Sequence, residues 1–176
     1  MKIRIPFAIV LSSLVLTGCG QKDSAAASAT ASTEASAPVA GPRVIEITAN
    51  DTMKYMMGDK ASGPTAGLVI EAKAGEQLKI VLTNTGTAPK EVMGHNFVLL
   101  KAGSDAAAFS TAATTAKETN YIPTALNDQI IARIDLLGPR KSGEIVFTVP
   151  AAGEYPFLCT FPAHFAIGMK GKLVVK

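Results

Sequence analysis

The chain has 176 residues, with 17 basic and 14 acidic side chains, two histidines and two cysteines. That length fits one domain, or one domain with appendages. Charge is spread thinly, with no basic run and no acidic tail, so a nucleic-acid partner is not expected.

In chain order, the first element is a leader. Lys2 and Arg4 form a short positive region, and Ile5 to Leu16 is apolar but too short for a comfortable membrane span. It ends in Leu16-Thr17-Gly18-Cys19, which resembles the lipobox of bacterial lipoproteins. The resemblance implies a signal peptide over 1–18, cleavage before Cys19 and a lipid on Cys19. An ordinary signal peptide is the alternative. Gly20, rather than Asp, follows the cysteine, which by resemblance to enteric lipoproteins favours the outer membrane. Losing Lys2 and Arg4 leaves 15 basic against 14 acidic residues, so the mature chain is near neutral. With Cys19 lipidated, Cys159 is the one remaining thiol and no intramolecular disulfide can form. Residues 19–42 are rich in Ala, Ser and Thr and carry no aromatic residue. Such a segment reads as a flexible tether spanning about 25 Å on average.

From Arg43 onwards short apolar and β-branched runs follow one another. Strands are expected at Val44–Thr48, Leu68–Glu71, Gln77–Thr83, Phe97–Leu100, Ile130–Asp135, Glu144–Val149, Tyr155–Cys159 and Gly171–Val175. Turn signals such as Asn84-Thr85-Gly86 and Ala152-Gly153 separate most of them. About eight such strands predict an all-β, Greek-key sandwich for 43–176. One helix interrupts it near 104–117, with Ser104 as its expected cap and Phe109, Ala112, Ala113 and Ala116 on one face.

The chemistry concentrates near the end of the chain. Cys159, His164 and Met169 fall within eleven residues, with Pro162 and Gly168 between them to shape a tight loop. The other histidine, His95, sits just before a predicted strand. Two imidazoles, a thiolate and a thioether suit a type 1 (blue) copper site, trigonal His₂Cys with a weak axial Met. Zinc favours a harder or more thiolate-rich closed set.

The motifs MGHNFVL and CTFPAH, followed by MKGKLVV, resemble azurin, a family of bacterial blue copper proteins. ITANDTMKY and IIARIDLLGPRKSGEIVFTV are also similar to azurin segments. The resemblance implies one copper held by His95, Cys159, His164 and Met169, with the Gly94 carbonyl as a weak opposite contact. It implies that Asn96 ties the two ligand loops together near Thr160. It further implies that the His164 ring edge reaches the surface inside an apolar collar of Met53, Met93, Phe161, Pro162 and Ala163. The implied activity is single-electron transfer by a monomeric, non-enzymatic carrier, with c-type cytochromes or reductases as partners in the periplasm or at the cell surface. A copper-delivery lipoprotein using Met53, Met56 and Met57, or protection against copper or peroxide stress, is the alternative. The chain departs from azurin in four places. Gly168 lengthens the His-to-Met spacing to that of plastocyanin and of auracyanin- or rusticyanin-like proteins. Ala163 replaces a glycine, the disulfide cysteines are missing, and Met56 to Gly67 is longer.

Overall fold

The computed structural model describes residues 41–176. The leader, Cys19 and all but the last two residues of the tether lie outside the described residues. Among the described residues, ten strands form two five-stranded sheets. They are β1 Arg43–Ala49, β2 Tyr55–Met57, β3 Lys60–Ala61, β4 Leu68–Ala72, β5 Gln77–Asn84, β6 His95–Leu100, β7 Ile130–Leu137, β8 Ser142–Thr148, β9 Gly153–Leu158 and β10 Lys170–Val175. One sheet runs β3-β2-β1-β5-β8 and the other β4-β10-β9-β6-β7. The pairs β1–β5 and β4–β10 are parallel, and the remaining pairs are antiparallel. Successive strands such as β4–β5 and β7–β8 change sheet, which gives the Greek-key sandwich.

Period-two patterning explains which faces meet. Leu78, Ile80 and Leu82 of β5 point inward, as do Leu68, Ile70 and Ala72 of β4, and all are buried. Strand β6 departs from this alternation, since all six residues are buried. Phe97 and Leu99 join the core between the sheets, while Val98 and Leu100 join a second cluster with Phe109, Ile122 and Leu158. A single-turn helix, α1 (Lys90–Met93), precedes β6, and Phe109 comes from helix α2 (Ala106–Ala113), which lies between β6 and β7 in the chain. The inserted segment therefore covers the outer face of β6, and a strand covered on both faces reads as a continuous apolar run.

Helix α2 is shorter than the pattern suggests, and its cap is Asp105 rather than Ser104. The Asp105 carboxylate accepts from the Ala107 and Ala108 amides at 2.9 and 3.0 Å. The threonines that follow turn back on the backbone. Thr111, Thr114 and Thr115 hydroxyls donate to the carbonyls of Ala107, Thr111 and Ala112. These local bonds compete with helix propagation, and the chain leaves α2 well before Lys117. Phe109 and Ala113 are buried, whereas Ala112 and Ala116 are only half-buried.

Candidate metal centre

Strand neighbours set the site. β9 lies between β6 and β10. His95 opens β6, Cys159 follows the last residue of β9, and Met169 precedes β10. The loop from Cys159 to Met169 is thus the connection of an antiparallel hairpin. Its base is closed by the Cys159 amide donating to the Met169 carbonyl at 3.1 Å. His164 opens a single-turn helix, α3 His164–Ile167, inside that loop.

One potential donor atom from each of His95, Cys159 and His164 lies within 4.8 Å of the others. The Cys159 Sγ is 3.4 Å from the His164 Nδ1, and the two imidazole centroids are 4.9 Å apart. All three side chains are buried, and Met169 is fully buried. Neither ring nitrogen of His95 has a hydrogen-bond partner among the described residues. The Asn50 carbonyl lies near that ring without meeting hydrogen-bond geometry. A buried imidazole with two unpaired nitrogens is costly in a closed protein interior, and a metal bound at one of them would remove part of that cost while the other faces the Asn50 carbonyl. The donor set of two imidazoles and one sulfur, with no carboxylate in the cluster, fits copper.

Burial dominates the electrostatics. It lowers His95 to about 4, opposed by the Asn50 carbonyl and the Asp51 carboxylate. It lowers His164 to about 3, with His95 adding to the effect. Both rings are therefore neutral at pH 7, with lone pairs free to bind a metal. Burial pushes the Cys159 thiol up to about 12, opposed by the backbone amides of Asn96 and Phe161. The metal-free thiol is protonated, so a metal entering here displaces a proton.

The surrounding residues hold these groups in place. Asn96 Nδ2 donates to the Thr160 Oγ1 at 2.6 Å, and Asn96 Oδ1 accepts from the Thr160 amide at 2.8 Å. These two buried bonds join the His95 and Cys159 segments. Tyr55 adds a contact that sequence reasoning missed. Its hydroxyl donates to the Asn96 carbonyl from a fully buried position, beside Phe97 and Phe157. The one hint in the sequence is a tyrosine, apolar with a single hydroxyl, set among the methionines Met53, Met56 and Met57. At Gly94 a methyl group would meet the Lys90 carbonyl at 2.7 Å and the Leu136 Cγ at 2.8 Å, so only glycine fits.

Exposure of His164 differs from the sequence expectation. The side chain is only 1% exposed, with no open ring edge. Phe161 lies over it, with ring centroids 4.8 Å apart, and Tyr121 packs edge-on against Phe161 at 5.0 Å. Of the expected collar, Phe161 is buried, Met53, Met93 and Pro162 are half-buried, and Ala163 is exposed. Val92, which the sequence reading did not single out, is 62% exposed beside Met93. Ala163 has φ 70°, in the left-handed region where a glycine would be unstrained. Met57 packs against the main core, and Met53 and Met56 are half-buried, which is packing rather than an open thioether cluster.

A sandwich with this buried ligand cluster defines a mononuclear copper protein. The model of the family described as copper binding proteins, plastocyanin/azurin family, matches residues 67–176, and the chain belongs to that family. Azurin of Pseudomonas fluorescens biotype A is 33% identical over 67% of this chain and 92% of its own length. Outer membrane protein H.8 of Neisseria meningitidis is 32% identical over 77% of this chain and 69% of its own length. Auracyanin-B of Chloroflexus aurantiacus is 40% identical over 46% of this chain, but the match spans only 35% of that relative, and 63% of auracyanin-A. Dithionite-reduced auracyanin from Roseiflexus castenholzii superposes with a TM-score of 0.62 at 36% identity, covering 76% of this chain and 96% of that one. No helix among the described residues is long and apolar enough to cross a membrane.

Proposed function

We propose that the chain is a single-electron carrier, not an enzyme, and that His95, Cys159, His164 and Met169 hold its one copper. The Gly94 carbonyl would add a weak further contact to it. The observation that carries it is the buried His95 ring, with both nitrogens unpaired, beside a second imidazole and a thiol. Copper there would supply one-electron exchange between Cu(I) and Cu(II). The residues around it have three tasks. Asn96 and Thr160 lock the ligand segments so that little has to move when charge changes. The Asn96 and Phe161 amides favour the Cys159 thiolate. Phe161, the core and the covered face of β6 keep water out.

Electrons enter and leave on the His164 side. The route to the surface passes under Phe161, because His164 itself is covered. Met53, Met93, Phe161, Pro162 and Ala163 form the docking rim, and a small apolar rim suits brief contact with another redox protein. A c-type cytochrome or a reductase is the class of partner. Cys19 carries a lipid that anchors the domain through the 19–42 tether, in the outer membrane and facing the periplasm or the cell surface. The similarity to an outer membrane protein of Neisseria meningitidis supports this placement.

The test is the visible and EPR spectrum of the protein titrated with Cu(II). An intense blue band with narrow copper hyperfine splitting at one equivalent is expected, and both should vanish in Cys159→Ser. A colourless complex would sink the electron-carrier reading.

A further inference from the structure

Gly168 is buried, although its neighbours Ala166 and Ile167 are exposed. What covers it lies about a hundred residues away in the chain. A methyl group on Gly168 would collide with the carbonyl carbon and oxygen of Gly63 and with the Pro64 nitrogen. Two backbone segments therefore touch at Gly168, whose φ of 107° also excludes most side chains. The same segment touches again four residues later in the chain. A methyl group on Gly67 would meet the Lys170 carbonyl at 2.8 Å and the Gly171 Cα at 2.9 Å. Residues 62–67 thus run across both sides of Met169, from Gly168 to Gly171.

This segment is itself anchored. The Ser62 amide donates to the Tyr55 carbonyl at 2.8 Å, and the Ser62 Oγ accepts from the Tyr55 amide at 2.9 Å. Ser62 is buried, and the Gly63 amide closes a turn on the Ala66 carbonyl at 2.8 Å. Tyr55 in turn holds Asn96 through its hydroxyl. One stretch of chain, from Tyr55 to Gly67, therefore bears on both halves of the ligand cluster.

We propose that residues Ser62–Gly67 form a strap that positions Met169, setting how far its side chain reaches into the ligand cluster. The effect on copper rests on the electron-carrier reading above. The effect on the loop does not. Gly168 is the bearing surface, because any larger residue would push the strap away. Pro64, with its fixed φ, and the Ser62–Tyr55 bonds keep the strap taut.

The test loosens the strap and leaves the ligand loop untouched. Pro64→Gly and an insertion of two glycines between Thr65 and Ala66 are compared with Val146→Thr. Val146 is an exposed residue of β8, away from the strap and the ligand loop, so it serves as the control. The first readout is amide exchange in the metal-free protein. The Met169 amide, bonded to the His164 carbonyl at 2.9 Å, and the Cys159 amide should exchange about tenfold faster in the insertion variant. Ile80 and Leu82 amides in β5 should keep their wild-type rates. The second readout is the reduction potential of the copper-loaded protein. The reach of an axial thioether tunes the potential of such a copper site, so a looser strap should shift the potential, more in the insertion than in Pro64→Gly. Unchanged exchange at Met169, or equal acceleration throughout the core, would overturn the proposal. So would local loosening with an unchanged potential. If the wild type shows no blue band, the copper reading falls, and the exchange rates still decide whether the strap positions the loop.

Discussion

Ala163 offers the cleanest perturbation of the ligand loop. It sits at φ 70°, ψ −21°, immediately before His164, and its side chain is exposed. An L-residue in the left-handed region is strained by about 1–2 kcal/mol, because its Cβ crowds the following carbonyl. Replacing it by glycine removes that strain and forfeits no packing. Glycine has more freedom in the unfolded chain, which costs about 0.5–1 kcal/mol. The strain is the larger effect, so Ala163→Gly should stabilise the protein by about 0.5–1 kcal/mol. For a domain of this size that is a rise of about 2–4 °C in Tm. Ala163→Val should move the other way, since a β-branched side chain is worse at positive φ. Calorimetry of the metal-free protein reads both changes without interference from copper binding. A fall in Tm for Ala163→Gly, or a valine variant as stable as the wild type, would refute the argument that this residue is held in strain.

Three further outcomes follow from the buried polar groups and the covered strand. Tyr55→Phe should destabilise by about 1–3 kcal/mol in urea titration, because the Asn96 carbonyl loses its donor in a closed interior; a loss no larger than a surface change would deny Tyr55 its part in holding Asn96. The metal-free protein should lose stability as pH falls. His95 and His164 titrate at about 4 and about 3 when folded, against about 6.5 unfolded, so the unfolded chain binds more protons across that window. Stability is full above about pH 6.5, and by pH 5 roughly 2 kcal/mol per ring should be gone. An unchanged urea midpoint between pH 7 and pH 5 would contradict the buried, neutral imidazoles. Phe109→Ala should cost about 3–5 kcal/mol by opening a cavity over β6 while leaving the copper spectrum in place; a changed spectrum would mean that the covering helix also shapes the site.

These outcomes draw on two kinds of information that the sequence carries unequally. Alternation in β4 and β5 is a local property, and it is readable because each strand is long enough to show its period. The donor set was also legible, because so few histidines and thiols compete for the role. Strands β2 and β3 were not, since three and two residues carry no period at all. The cover over His164 was misjudged for a related reason. Tyr121 and Phe161 are distant in the chain, and nothing local announces that their rings meet.

The strap sharpens this contrast. Read along the chain, the stretch from Met56 to Gly67 and the Gly168 of the ligand loop are unconnected. In the folded protein they touch: Gly168 is the residue on which the Ser62–Gly67 segment rests. A segment crossing a tight loop needs a residue without a side chain at the crossing, and a glycine at positive φ gives the loop the bend that brings its backbone outward. The bend at Gly168 and the strap over it are then two parts of one arrangement. Without the strap, nothing else among the described residues crosses Gly168 to hold Met169 in place. A strap without Gly168 has no surface on which to bear.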